Sequence, residues 1–295
     1  MQGPTRRPIN RYSFFVFICL LPFIDVEAGE QKPYAMPRTQ VLPIKDSTFD
    51  RSYELYIKLP EKYFDNNDAS YPVIYFTDAV WHIDILSAAT QSLLEDVILV
   101  GISWQKDISD EVRQAVGEHA SRGRDYSVRQ SSDPELQAKY NFGHPENHLV
   151  FIRNDVIQTI ENNYRTDPNN RTYFGYSAGG LFGAYILLAQ PDTFKNYILG
   201  SPALKDNIPI LSKINSSPET KRKNLNANVF ISYGTLEHEP GEYINEFIAM
   251  LKNRNDETLF LQHEVIEGGH QTAFPNTGIS SVNWLSSLMK NEEKE

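Results

Sequence analysis

The sequence predicts an α/β fold, a mostly parallel sheet of eight strands with helices on both faces. Short β-prone runs bounded by Gly, Pro, Asn and Asp recur along the chain, and stretches of helical periodicity fall between them. The central runs are apolar without alternation, as Val97-Ile98-Leu99-Val100 is. A strand covered on both faces has no polar side to present, so such runs mark the interior of a parallel sheet.

The chain opens with a segment of another kind. Arg6, Arg7 and Arg11 precede an apolar block over residues 14–24, and Val26-Glu27-Ala28 offers a small-residue cleavage site. That is the layout of a secretory signal peptide over residues 1–28, which predicts a secreted or periplasmic protein. A membrane span needs roughly 20 apolar residues, so an uncleaved membrane anchor is the second reading. No stable span is expected once the leader is cut. Cys19, the only cysteine, lies inside the leader, so residues 29–295 are expected to form a single domain without disulfides.

The first two strands, residues 39–44 and 52–59, lie close together and alternate as an antiparallel pair does. The others are expected at residues 72–77, 97–102, 172–176, 197–200, 229–233 and 259–266. Leu149, Ile152, Val156, Ile157, Ile160 and Tyr164 form an apolar stripe before the fifth strand. Ile244, Phe247, Ile248 and Leu251 repeat at i, i+3, i+4, i+7 before the eighth. Residues 104–146 carry no strand signal and are polar and charged, which reads as a loop or partial cap beside the site.

Composition narrows the function. A net charge of −10 opposes nucleic acid, while an aromatic content of 12% suffices for a sizeable core and an aromatic-lined pocket for a small molecule. None of the seven histidines has H-E-x-x-H spacing, and no metal or other cofactor is expected.

The chemistry centres on Gly175-Tyr176-Ser177-Ala178-Gly179, which follows the fifth strand and leads into the apolar run Leu181, Phe182, Ala184, Tyr185, Ile186. A serine at such a turn has its hydroxyl pushed out of the sheet edge, and the helix start beneath it offers N–H groups to an oxyanion. The pentapeptide alone is a loose pattern. Residues later in the chain give it weight, because a serine nucleophile needs a base and a carboxylate to orient that base. Gly234-Thr235-Leu236-Glu237-His238-Glu239 comes after the seventh strand, and Glu267-Gly268-Gly269-His270 after the eighth. Serine, acid, histidine is the chain order of α/β-hydrolases. The expected catalytic residues are Ser177, His270 and Glu237, with Glu239 the second choice of acid. The expected oxyanion donors are the backbone N–H groups of Ala178 and Val80, with Ala79 the alternative to Val80. Trp81 fits core packing and pocket lining equally well.

With these residues in order, the chain resembles the Putative esterase family of α/β-hydrolases. The family includes enterochelin-type siderophore esterases, S-formylglutathione hydrolase, feruloyl and acetylxylan esterases, and mycolyltransferases. Tyr71-Pro72-Val73-Ile74-Tyr75-Phe76-Thr77-Asp78 is similar to its third strand, Val100-Gly101-Ile102 to its fourth, and Arg124-Asp125-Tyr126 to its R-D-Y segment. Gly175 to Phe182 is similar to its nucleophile turn, Ser201-Pro202-Ala203 to its S-P-small step, and Gly268-Gly269-His270 to its histidine turn. The resemblance covers residues 40–290 and implies an α/β-hydrolase fold and serine carboxylic-ester hydrolysis through an acyl-enzyme. Ala79 departs from the glycine usual there. Some siderophore-esterase relatives work with a serine–histidine pair, which bears on Glu237. A small-molecule ester, most sharply a siderophore trilactone, is the expected substrate. Trp81, Arg124 and Tyr176 are the candidate substrate-binding residues, with Arg122 and Arg129 beside Arg124 either meeting catecholate charge or lying solvated on the surface. Acyl transfer on the same triad is one alternative, and a non-catalytic binding protein that kept the fold is another.

Overall fold

The sheet has eight strands in the order β1-β2-β4-β3-β5-β6-β7-β8 in the computed structural model, which describes residues 34–221 and 224–292. The strands are β1 (Thr39–Lys45), β2 (Ser52–Lys58), β3 (Tyr71–Phe76), β4 (Ile98–Ile102), β5 (Thr166–Tyr176), β6 (Asn196–Gly200), β7 (Ala227–Gly234) and β8 (Leu259–Ile266). β1 and β2 pair antiparallel, β2 meets β4 antiparallel, and every later pairing is parallel. The expected leader lies outside the described residues. Among those described, no helix is long and apolar enough to cross a membrane.

The helices are α1 (Ala79–Leu93), α2 (Asp110–Val116), α3 (Arg122–Tyr126), α4 (Pro134–Tyr140), α5 (Pro145–Phe151), α6 (Ile157–Asn163), α7 (Ala178–Ala189), α8 (Ile208–Asn215), α9 (Pro218–Lys221), α10 (His238–Lys252) and α11 (Phe274–Glu292). A π-helical turn, Ile152–Val156, joins α5 to α6. Its extra residue in the turn lets the successive residues Val156 and Ile157 both face inward, and both are buried.

The unbroken apolar strands cover two cores at once. Tyr173, Val100 and Val229 point to the face packed by Leu149, Phe182 and Phe247, while Phe174, Leu99 and Phe230 point to the face packed by Leu86 and Trp284. α1 and α11 thus cover one side, and α5, α7 and α10 the other.

Two expectations need correction. β5 begins at Thr166 rather than near Thr172, because Thr166 pairs with Tyr71 across a register shift and the polar residues between them hide the strand's first half. Residues 104–146 are not one loop but hold α2, α3 and α4. α2 and α4 are set by local capping: the Ser109 hydroxyl accepts from the Val112 N–H, and Asp133 accepts from the N–H groups of Glu135 and Leu136. α2 and α4 bury no residue, so they leave no apolar stripe to read.

Candidate active site

Four adjacent parallel strands end at the same edge of the sheet, and each delivers one polar residue there. Ser177 follows β5, Ser201 follows β6, Glu237 follows β7 and His270 follows β8. Ser177 occupies φ 57°, ψ −116°, a conformation that L side chains rarely adopt. It persists because both sides of the peptide are held: the Ser177 N–H donates to Gly200 O at 2.9 Å, and the Ala203 N–H donates to Ser177 O at 3.0 Å. The elbow is also sterically closed. A Cβ on Gly179 would stand 2.4 Å from Thr77 Oγ1, so only glycine fits there.

Glu237 is buried at the start of α10, with Oε1 2.7 Å from His270 Nδ1. Its other oxygen accepts from the Gly234 N–H and from the Ser201 hydroxyl, each at 2.7 Å. Burial alone would push this carboxyl up. The hydrogen bonds from His270, Ser201 and Gly234 outweigh it and hold the group below its ordinary value. Glu239, the second choice of acid, turns outward and pairs with Lys205 at 2.8 Å, its side chain 61% exposed.

The histidine turn is fastened to the acid turn. The Leu236 N–H donates to Gly268 O at 2.9 Å, and the Gly268 N–H donates to Thr235 Oγ1 at 3.1 Å. Tyr176 adds a third tie, its hydroxyl donating to His270 O at 2.6 Å, with the two rings 5.3 Å apart. Tyr176 is buried, so it braces the histidine backbone instead of facing open solvent.

β3 and β5 are parallel neighbours, which brings the starts of α1 and α7 to one edge. Ala178 is the first residue of α7 and Val80 the second of α1; N–H groups at these positions have no acceptor within their own helix. Ala79 is buried, whereas Val80 and Trp81 are half exposed. Trp81 lies edge-on to Trp104 at 4.6 Å and 5.0 Å from the Arg122 guanidinium, so it forms a wall at the surface and not core packing.

Arg124, a candidate substrate-binding residue, is largely enclosed. Its guanidinium turns inward to Asp125 at 2.8 and 3.1 Å, Tyr53 OH at 3.1 Å and Gln105 Oε1 at 2.8 Å, leaving the side chain 13% exposed. Tyr53 and Asp125 are buried and Gln105 is partly exposed, so these contacts tie the guanidinium to the fold. Arg129 lies at the surface, 3.8 Å from Asp206. Arg122 is engaged with Asp78 through Nε at 2.8 Å and Nη2 at 3.1 Å.

Two residues had no assigned role on sequence grounds. Ser201 belonged to the S-P-small step; it stands directly after a strand at a left-handed φ of 36° and its hydroxyl donates to Glu237. Asp78 ends an apolar strand and is fully buried; a carboxylate in that position needs a cation, and the arginine-bearing segment 104–146 supplies one.

The fold is shared with known proteins. Residues 47–290 match the model of the family described as Putative esterase. The ferri-bacillibactin esterase BesA of Bacillus subtilis (strain 168) is 29% identical over 241 residues, covering 77% of this chain and 80% of that protein. The siderophore triacetylfusarinine C esterase of Aspergillus fumigatus is 26% identical over 135 residues, 43% of this chain and 46% of that one. The structure of the BES protein from Bacillus cereus shares the fold, with a TM-score of 0.71 at 22% identity over 86% of this chain and 97% of that chain. The family match spans most of the chain, and the chain belongs to the Putative esterase family and is an esterase.

Proposed function

We propose that the protein hydrolyses carboxylic esters through an acyl-enzyme on Ser177, with a siderophore-type ester as substrate. The observation that carries this reading is the 2.7 Å contact of His270 Nδ1 with Glu237 Oε1, one strand end after another from the strained serine. Glu237 holds the proton on Nδ1, which leaves Nε2 free to accept. Ser177 Oγ attacks the ester carbon while its proton passes to His270, and the N–H groups of Ala178 and Val80 receive the oxyanion. On collapse the alcohol leaves with the proton from His270. Water then attacks the acyl-serine, giving its proton to His270, and the acid departs as Ser177 is restored.

Two observations support the substrate class: siderophore esterases named among the relatives, and the half-exposed Trp81 wall beside the oxyanion turn. The leader pattern over residues 1–28 supports export, to be checked by the N-terminal sequence of the protein recovered from medium or periplasm. The functional test compares short p-nitrophenyl, feruloyl, thioester and catecholate-lactone substrates, with Ser177→Ala as blank. Turnover should fall at least about 10³-fold in Ser177→Ala and nearly as far in His270→Ala. Turnover surviving in Ser177→Ala would end the proposal. Ester transfer to an added alcohol in preference to water would make the protein an acyltransferase, and failure of a fluorophosphonate to label Ser177 would make it a binding protein.

A further inference from the structure

Asp78 holds the position directly before the turn that carries the Val80 N–H, and it does so in the left-handed region at φ 56°. Its side chain does not cap α1. Three N–H donors from the 104–146 segment hold its buried carboxylate instead: Arg122 Nε at 2.8 Å, Arg122 Nη2 at 3.1 Å and Trp104 Nε1 at 2.5 Å. The forked arginine contact fixes direction as well as distance, which a lysine would not do. Asp78 Oδ2 also lies 3.5 Å from the position a Cβ on Gly179 would take, so the carboxylate stands against the first turn of the nucleophile helix. Left unpaired there, it would oppose a neighbouring oxyanion.

We infer that the Asp78–Arg122 ion pair, completed by Trp104 Nε1, positions the oxyanion turn and cancels a buried negative charge beside it. These are positioning residues; none of them touches the reacting atoms. The inference rests on the esterase reading of Ser177. It gives the α3 segment a second task besides flanking the site, because the same arginine lies against Trp81 and sets the conformation that precedes Val80.

The test uses the full chain on a neutral p-nitrophenyl ester. Asp78→Asn, Arg122→Lys and Trp104→Phe should each lower kcat, the first two about 10-fold or more and the last several-fold, with KM within about two-fold of wild type. A boronic acid that forms a tetrahedral adduct with Ser177 should lose affinity in step with kcat. Arg122→Ala should be more damaging than Asp78→Asn combined with Arg122→Ala, because the single change leaves the carboxylate buried and uncompensated. Trp104→Phe removes one donor and keeps a ring, so it decides the matter if Asp78→Asn fails to fold. An unchanged kcat and boronate affinity in Trp104→Phe, or a KM effect confined to Arg122→Lys, overturns the inference. Wild-type turnover that does not depend on Ser177 would overturn the esterase reading, and this inference with it.

Discussion

At Glu237, burial and hydrogen bonding act in opposite directions, and the three donors around the carboxylate decide the outcome. A carboxyl held below its ordinary value contributes stability that is complete above about pH 4.3 and is lost as pH falls through the lower folded value. Ser201→Ala removes one donor and narrows that gap. The thermal midpoint of wild type should therefore exceed that of Ser201→Ala most at neutral pH, and the difference should shrink on acidification toward about pH 3 in a melting series. A difference that grows with acid would contradict the assignment. Activity separates the two acidic candidates more directly. Glu237→Gln should lose about 10²- to 10⁴-fold in kcat, whereas Glu239→Gln, exposed and paired only with Lys205, should stay within about two-fold. Ser177, Glu237 and His270 could be proposed from the sequence because each sits in a local signature at the end of a strand. The roles of Ser201 and Asp78 could not, since their partners lie 36 and 44 positions away in the sequence. Nor does the sequence say which of Arg122 and Arg124, two positions apart, turns to Asp78 and which to Asp125.

Among the elements, α7 is held close to the sheet. A Cβ on Gly183 would stand 2.4 Å from Tyr173 Cε1 and 2.5 Å from Leu199 Cδ2, so the helix lies almost on β5 and β6. Gly183→Val forces the helix away from the sheet and should cost about 1–3 kcal/mol or more, measured by urea denaturation. Because the first residue of α7 is Ala178, the same variant should lose kcat beyond what its lost stability explains. An unaltered kcat would mean that the helix start is held independently of its middle. The strands and longer helices could be read from periodicity, since each has a face to bury. α2 and α4, seven residues each, bury nothing and depend on Ser109 and Asp133 at their starts. Periodicity has no signal to offer where a helix is held by its caps. β5 was half legible for a related reason: Asp167 to Asn170 extend it with polar residues at its exposed start.

For the molecule as a whole, the net charge of −10 sets a long-range field that repels anions before any local arginine can act. With a Debye length of about 10 Å at 0.1 M salt, kcat/KM for an anionic ester should rise between about 0.01 and 0.2 M NaCl, and rise less for a neutral ester of the same acyl group. Equal responses would mean that the charge around the site differs in effect from the charge of the whole. The sheet order has a consequence in time as well as space. Residues from four successive strand ends meet at one edge, and the last of them, His270, lies beyond β8. On the proposed reading, a growing chain therefore carries Ser177 through synthesis without His270, the base proposed to activate it. The ester chemistry proposed for Ser177 would then wait until all eight strands have been made and only α11 is still to come.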